Sequence, residues 1–303
     1  MMRIVESPPA GQFINIQDQR LWYLRAGSSA PAVVFVPGAG SFGLDFLLVH
    51  EQVSRHATSL LYDRAGTGWS DDVGLPRSTD EVTDELRDLL HTLEVPHPYV
   101  LVGHSLGGAY VQRYAQRFPS DVAGLLLLDP LHEDWDEYQP AHLQLAATTP
   151  SHDVQLPNLP PQIVDQLRAM LWQTMSGFPE PVREAVVARH ASAERLPTGF
   201  REGLNVLSVL DDLRSGGQRP EMPMIILSAT GIDTQQLMFA TEDQLREQLQ
   251  GSESLYEAIT TAHPDCEHVT IPDASHATLP MTRADAVSDA VRRLIDRISA
   301  PAS

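Results

Sequence analysis

The sequence predicts an α/β protein: a mostly parallel central sheet with helices on both faces and a helical segment inserted after the sixth strand. Three observations predict it. Short apolar, β-favouring runs alternate with stretches of helical period from Phe13 to Leu128, a pattern that implies crossover units and parallel strands. Ala32-Val-Val-Phe-Val36 and Leu125-Leu-Leu-Leu128 are apolar without a break, as strands buried on both faces must be. From Leu131 to about Arg219 the strand runs stop, Pro is frequent and helical periods remain, before strand character returns at Met224.

Taken in order, Phe13–Ile16 and Leu21–Leu24 read as two short strands joined at Asp18-Gln19. Ala32–Val36 ends at Pro37-Gly-Ala-Gly40, and a helix follows from about Leu44 to Ser54. Ser59–Tyr62 is the next strand, and it leads into the loop Asp63-Arg-Ala-Gly-Thr-Gly-Trp-Ser-Asp71. Thr79–Leu93 is an amphipathic helix with Val82, Leu86, Leu89, Leu90 and Leu93 on one face. The strand Tyr99–Val102 runs into Gly103-His-Ser-Leu-Gly107, and Leu106, Tyr110, Tyr114 and Phe118 then recur at helical spacing until Pro119. The inserted segment has helical periods at 162–175, 181–193 and 200–213, and helices on such an insertion tend to cover the carboxyl ends of the strands. It is expected to form a cap over residues 131–219, with 1–130 and 220–303 forming the core domain. Strands Met224–Ser228 and His268–Ile271 and a closing helix Ala284–Ile298 complete the core.

Composition excludes several function classes. The chain of 303 residues has a formal net charge of −19, which argues against nucleic acid and anionic membrane surfaces as partners. There is no Lys; all 21 basic residues are Arg. A P-loop lysine, a Schiff-base lysine and a Ser–Lys dyad are therefore excluded. No apolar run approaches the length of a membrane span. The start Met1-Met-Arg-Ile-Val-Glu-Ser-Pro-Pro9 has no apolar signal region, and the single Cys266 cannot form an internal disulfide. Both features predict a cytoplasmic protein.

The chemistry centres on Gly103-His-Ser-Leu-Gly107. A Gly-x-Ser-x-Gly turn between strand and helix is the context of a nucleophile elbow. A Ser on so tight a turn is held in a strained backbone conformation with its Oγ away from the sheet. Its hydroxyl needs a base, and the base an orienting acid, in the order Ser, Asp/Glu, His. Of the 12 histidines, His276 follows the last strand, on the side where Ser105 projects. Asp233, past the Met224–Ser228 strand, is the first candidate for the acid. Asp129, at the end of Leu125–Leu128, is the alternative. The tetrahedral oxyanion needs N–H donors, expected from Leu106 and from Ala39, whose flanking glycines let the backbone approach. Trp135, Met170, Trp172, Met175 and Phe178 are expected to line the cap side of an apolar substrate pocket, although at helical spacing some must be cap core.

Pro37-Gly-Ala-Gly40, Asp63-Arg-Ala-Gly-Thr-Gly-Trp-Ser70, Gly103-His-Ser-Leu-Gly107, Leu128-Asp-Pro130 and Ser275-His276 fall in the order found in the α/β-hydrolase superfamily. From about residue 11 to 298 the chain resembles a capped, serine esterase-like member. The resemblance implies an α/β-hydrolase fold, with Ser105, His276 and Asp233 as triad and Ala39 and Leu106 as oxyanion donors. It implies hydrolysis of a carboxylic ester of a small, largely apolar molecule, without cofactor. The chain departs from the pattern in having Pro37-Gly38 where many members have His-Gly, and in a long gap between Asp233 and His276. Ser105 stands where the superfamily's dehalogenases and epoxide hydrolases have Asp.

Two other readings compete with hydrolysis, and a third removes it. Gly38-Ala-Gly-Ser-Phe-Gly43, followed by Asp63 at the next strand end, mimics a dinucleotide fingerprint and would make the protein an NAD(P)-binding oxidoreductase. His263, Cys266 and His268 are metal-ligand types at close spacing, but they match no standard zinc pattern. A hydrolase fold could also serve a non-catalytic ligand-binding protein.

Overall fold

The computed structural model describes residues 7–150, 159–217, 221–234, 236–238 and 240–300. Every apolar run predicted as a strand is one. β1 (Gln12–Ile16), β2 (Gln19–Ala26), β3 (Ala32–Val36), β4 (Thr58–Tyr62), β5 (Tyr99–His104), β6 (Val122–Leu128), β7 (Met224–Ala229) and β8 (Cys266–Ile271) form one sheet of order β1-β2-β4-β3-β5-β6-β7-β8. The β1–β2 and β2–β4 pairs are antiparallel and all later pairs parallel. The α/β-hydrolase fold expected from the sequence is the fold observed.

Helices α1 (Leu47–Val53), α2 (Thr79–Thr92) and α3 (Leu106–Arg117) alternate with the first strands. Six more lie between β6 and β7: α4 (Trp135–Tyr138), α5 (Leu145–Thr148), α6 (Pro161–Thr174), α7 (Glu180–His190), α8 (Thr198–Gly203) and α9 (Val206–Ser215). α10 (Glu242–Ala262), α11 (Leu279–Thr282) and α12 (Ala284–Ser299) complete the chain. No strand interrupts the described residues between β6 and β7. The helix expected over 200–213 is two helices, broken at Leu204-Asn205, where Asn205 turns its side chain to donate to Arg77 O at 2.8 Å. The domain boundary expected at 219–220 lies outside the described residues.

Strand alternation divides the core. Val33 and Phe35 point to the face covered by α1 and α12, while Val34 and Val36 join Tyr110 and Tyr114 of α3 on the other face. Both faces are apolar because both are covered. α9 packs Val209, Leu210 and Leu213 into the second cluster. No helix among the described residues is long and apolar enough to cross a membrane.

Candidate active site

β5 ends at His104, and the next residue turns the chain. Ser105 sits at φ 52°, ψ −120°, a conformation that side-chain-bearing residues rarely adopt. The elbow holds it there through backbone bonds. Ser105 N–H donates to Leu128 O at 3.0 Å, and Ser105 O accepts from Gly108 N–H at 2.9 Å and Leu131 N–H at 3.1 Å. The flanking glycines are required by close approach. A Cβ on Gly107 would lie 2.1 Å from Val36 O, and one on Gly103 would lie 2.6 Å from Gly107 O. Both obstacles are backbone, so they cannot swing aside. Gly107→Ala should therefore force β3 and α3 apart and destabilise by about 1–3 kcal/mol, read as a lowered Tm. An unchanged Tm would mean that the turn can relax.

The loop after β3 packs on Ser105. A Cβ on Gly38 would stand 3.1 Å from Ser105 Cβ. Gly40 is in the left-handed region at φ +72°. Arg64 lies beneath this loop, fully buried, and donates to Pro37 O at 2.6 Å and Gly38 O at 2.9 Å. It also donates to Glu202 Oε1, at 2.7 Å from Nη2 and 3.1 Å from Nε. The other oxygen of Glu202 accepts from Gly40 N–H at 2.8 Å. Among the described residues, neither Ala39 N–H nor Leu106 N–H donates to an acceptor. Leu106 opens α3, so its N–H has no partner within the helix and carries the positive end of the helix dipole. In the sequence Arg64 belongs to the Asp63–Ser70 motif without an assigned role, and Glu202 is not among the expected site residues. Nothing local marks this one acid among 40.

His276 lies between β8 and α11, at the carboxyl edge of the sheet. Its carbonyl accepts from His104 Nε2–H at 2.9 Å. Burial, reinforced by the neighbouring His276, lowers the His104 pKa to about 3 despite that bond, so His104 is a neutral prop rather than a base. Two carboxylates flank the His276 imidazole. Asp129 Oδ2 is 3.6 Å from Nδ1, and the Asp129 carboxylate accepts from Ala229 N–H at 3.1 and 3.2 Å. Asp233 accepts from Ala277 N–H at 3.1 Å, which ties it to the same turn one residue further on. Burial lowers the His276 pKa, but the close contact with the Asp129 carboxylate and its charge, with the charge of Asp233, outweigh it and raise it above 6.5. No hydrogen bond joins Ser105 Oγ to His276 among the described residues. Such bonds are often long without substrate and tighten when it binds.

The residues expected to line the pocket separate. Trp135 lines a small cavity with Asp129, Asp233, Tyr256 and His276. Met175 and Phe178 are buried in the cluster shared with Leu44, Leu47 and Leu279. Trp172 packs against that cluster and carries Arg183 Cζ 4.0 Å over its ring. Met170 is half-buried on α6.

Asp63 does not sit as a ribose-binding acid would. It is fully buried, and its two oxygens accept from Gly43 N–H and Trp69 N–H, each at 2.7 Å. Burial pushes its pKa up to about 7 against the pull of those donors. His268 of the His263-Cys266-His268 cluster bonds Ser228 Oγ through Nε2 at 2.7 Å. No group of three or more His, Cys, Asp or Glu among the described residues could hold a metal ion.

Comparison with known proteins agrees with this architecture. A solved esterase of Thermogutta terrifontis superposes with a TM-score of 0.64, covering 96% of this chain and 100% of its own at 20% identity. An uncharacterized protein of Mycobacterium tuberculosis is 32% identical over 122 residues, which is 40% of this chain and 35% of that protein. One of Schizosaccharomyces pombe is 44% identical over 69 residues, 23% of this chain and 13% of its own length. The chain thus spans about a third or less of these two relatives. The model of the family described as "Alpha/beta hydrolase family" matches residues 33–290, most of the chain, and the chain belongs to that family.

Proposed function

We propose that the protein is a serine hydrolase acting on carboxylic esters. The observation that carries this reading is Ser105, held at φ 52° on a glycine-bounded strand-to-helix turn, with His276 on the same edge of the sheet. Ser105 Oγ attacks the ester carbonyl while His276 Nε2 takes its proton. Ala39 and Leu106 N–H groups, which have no acceptor among the described residues, would receive the oxyanion. His276 then protonates the departing alcohol, and activates the water that releases the acid from the acyl-enzyme. Asp129 is the direct partner of Nδ1, and Asp233 fixes the turn that carries the ring and adds its negative charge. The inserted segment, 131–219, serves as the cap, and its Trp135 shares a small cavity with Asp129 and His276. A small ester fits the restricted space beside His276 better than a polymer.

The test is direct. A fluorophosphonate should label Ser105, identified by peptide mass, and p-nitrophenyl esters of short acids should be turned over. Absence of both would end the reading. The profile of kcat/KM against pH gives a second check. The base works neutral, so activity should rise with pH through a midpoint above 6.5, and Asp129→Asn should move that midpoint down. The stability linkage runs the other way. The folded state favours protonated His276, so that contribution is complete below about pH 6.5 and is lost as pH rises through the higher folded value. A limb at or below 6.5 would mean that the carboxylates do not act on His276.

A further inference from the structure

We propose that Glu202, on α8 of the inserted segment, is a positioning residue that aims the oxyanion donor Ala39 N–H. The proposal rests on the serine-hydrolase reading and names a part of the site supplied by the cap.

The reasoning starts from the peptide plane. In a trans peptide the C=O of one residue and the N–H of the next point in opposite directions. Gly38 O is held by Arg64 Nη2 at 2.9 Å, so the Ala39 N–H is directed away from Arg64. Gly40 N–H is held by Glu202 Oε2 at 2.8 Å, so the Ala39 C=O is directed away from Glu202. Both peptide planes flanking Ala39 are thereby clamped, one by each member of an ion pair. The clamp is needed because glycines on either side leave this stretch the widest conformational choice, and Gly40 occupies the left-handed region at φ +72°.

The clamp is buried and spans two parts of the fold. Arg64 and Glu202 side chains are 1% and 5% exposed, where a charge-assisted bond is strong and an unpaired member is costly. Arg64 follows β4 in the core; Glu202 stands 138 residues later, on the segment between β6 and β7. A Cβ on Gly40 would lie 2.9 Å from Gly199 Cα, so α8 lies directly on the loop it restrains. Glu202 also occupies Gly40 N–H, which removes that group as an oxyanion donor and leaves Ala39 as the donor from this loop. Docking of α8 and ordering of this loop are therefore coupled: moving α8 away frees the Ala39–Gly40 plane and leaves Arg64, which holds the Gly38–Ala39 plane, without its partner.

Two variants and three readouts test this. Glu202→Ala removes the acceptor of Gly40 but strands Arg64, and it risks misfolding. Arg64→Met combined with Glu202→Met replaces the pair by apolar side chains of similar reach, which buried ion pairs tolerate. In either folded variant kcat for a p-nitrophenyl ester should fall about ten- to hundred-fold, with KM within about two-fold because ground-state binding does not need the oxyanion. Affinity for a trifluoromethyl ketone, which forms an oxyanion on Ser105, should fall with kcat. Amide exchange at Gly40 should accelerate while exchange in β5 stays slow. A lowered Tm with kcat, ketone affinity and Gly40 exchange unchanged would overturn the proposal, leaving Glu202 a structural residue. If the wild-type protein neither hydrolyses esters nor reacts at Ser105, the esterase reading fails. Exchange at Gly40 then decides the clamp alone: acceleration upholds it and no change overturns it.

Discussion

Ser105→Ala is expected to lower kcat for a p-nitrophenyl ester by at least about 10⁴-fold, because removing a triad member leaves only binding and the oxyanion site to act. The fold should survive. The bonds that hold the elbow run through the Ser105 backbone to Leu128, Gly108 and Leu131, and the tight contacts belong to Gly103 and Gly107. The substitution removes one oxygen and leaves φ where it was. Unchanged Tm with lost turnover and lost fluorophosphonate labelling would assign the nucleophile. Turnover retained in a variant that no longer labels would assign the chemistry to another group.

Asp129→Asn and Asp233→Asn are each expected to cost less than the double variant. Singly, each should lower kcat about ten- to hundred-fold; together they should approach the loss of about 10⁴ that follows removal of the orienting acid from a Ser-His-Asp site. The reason is the arrangement at His276. Asp129 faces Nδ1 at 3.6 Å, longer than a well-formed hydrogen bond, while Asp233 anchors the adjoining Ala277 N–H and adds its charge to the imidazole. With Asp129 neutral, a small rotation can turn the ring toward Asp233. With Asp233 neutral, Asp129 keeps its contact, but the turn loses a charge-assisted anchor. If Asp233→Asn alone removes the full 10⁴, Asp233 is the sole acid and the contact with Asp129 does not operate during turnover. If Asp129→Asn alone does so, the reverse holds. These effects must be compared as a cycle, because residues that act as a unit are not additive.

The five expected pocket residues show where sequence periodicity runs out. The helical period over 162–175 puts Trp172 and Met175 on one side, but it does not distinguish a wall of a cavity from a contact between helices. The structure buries Met175 and Phe178 in the cluster that holds Leu44 and Leu279, and it places Trp135, before the longer helices of the inserted segment, on the cavity that His276 lines.

The sequence by itself determined the order of eight strands, the insertion after the sixth, and the elbow at Ser105. These are local properties. Strand and helix periods, proline stops and a glycine-bounded turn are written within a dozen neighbouring residues, and the backbone conformation of Ser105 follows from what lies on either side of it. The absence of lysine was equally legible, since composition needs no geometry. Only the tertiary structure decided which carboxylate faces Nδ1, which of the apolar residues of the inserted segment are core, and that Glu202 meets Arg64 and Gly40. Each depends on distances between elements far apart in the chain, set by how helices dock on the sheet. A single buried acid leaves no periodic trace in the sequence; its partners appear only when packing brings them within hydrogen-bond reach.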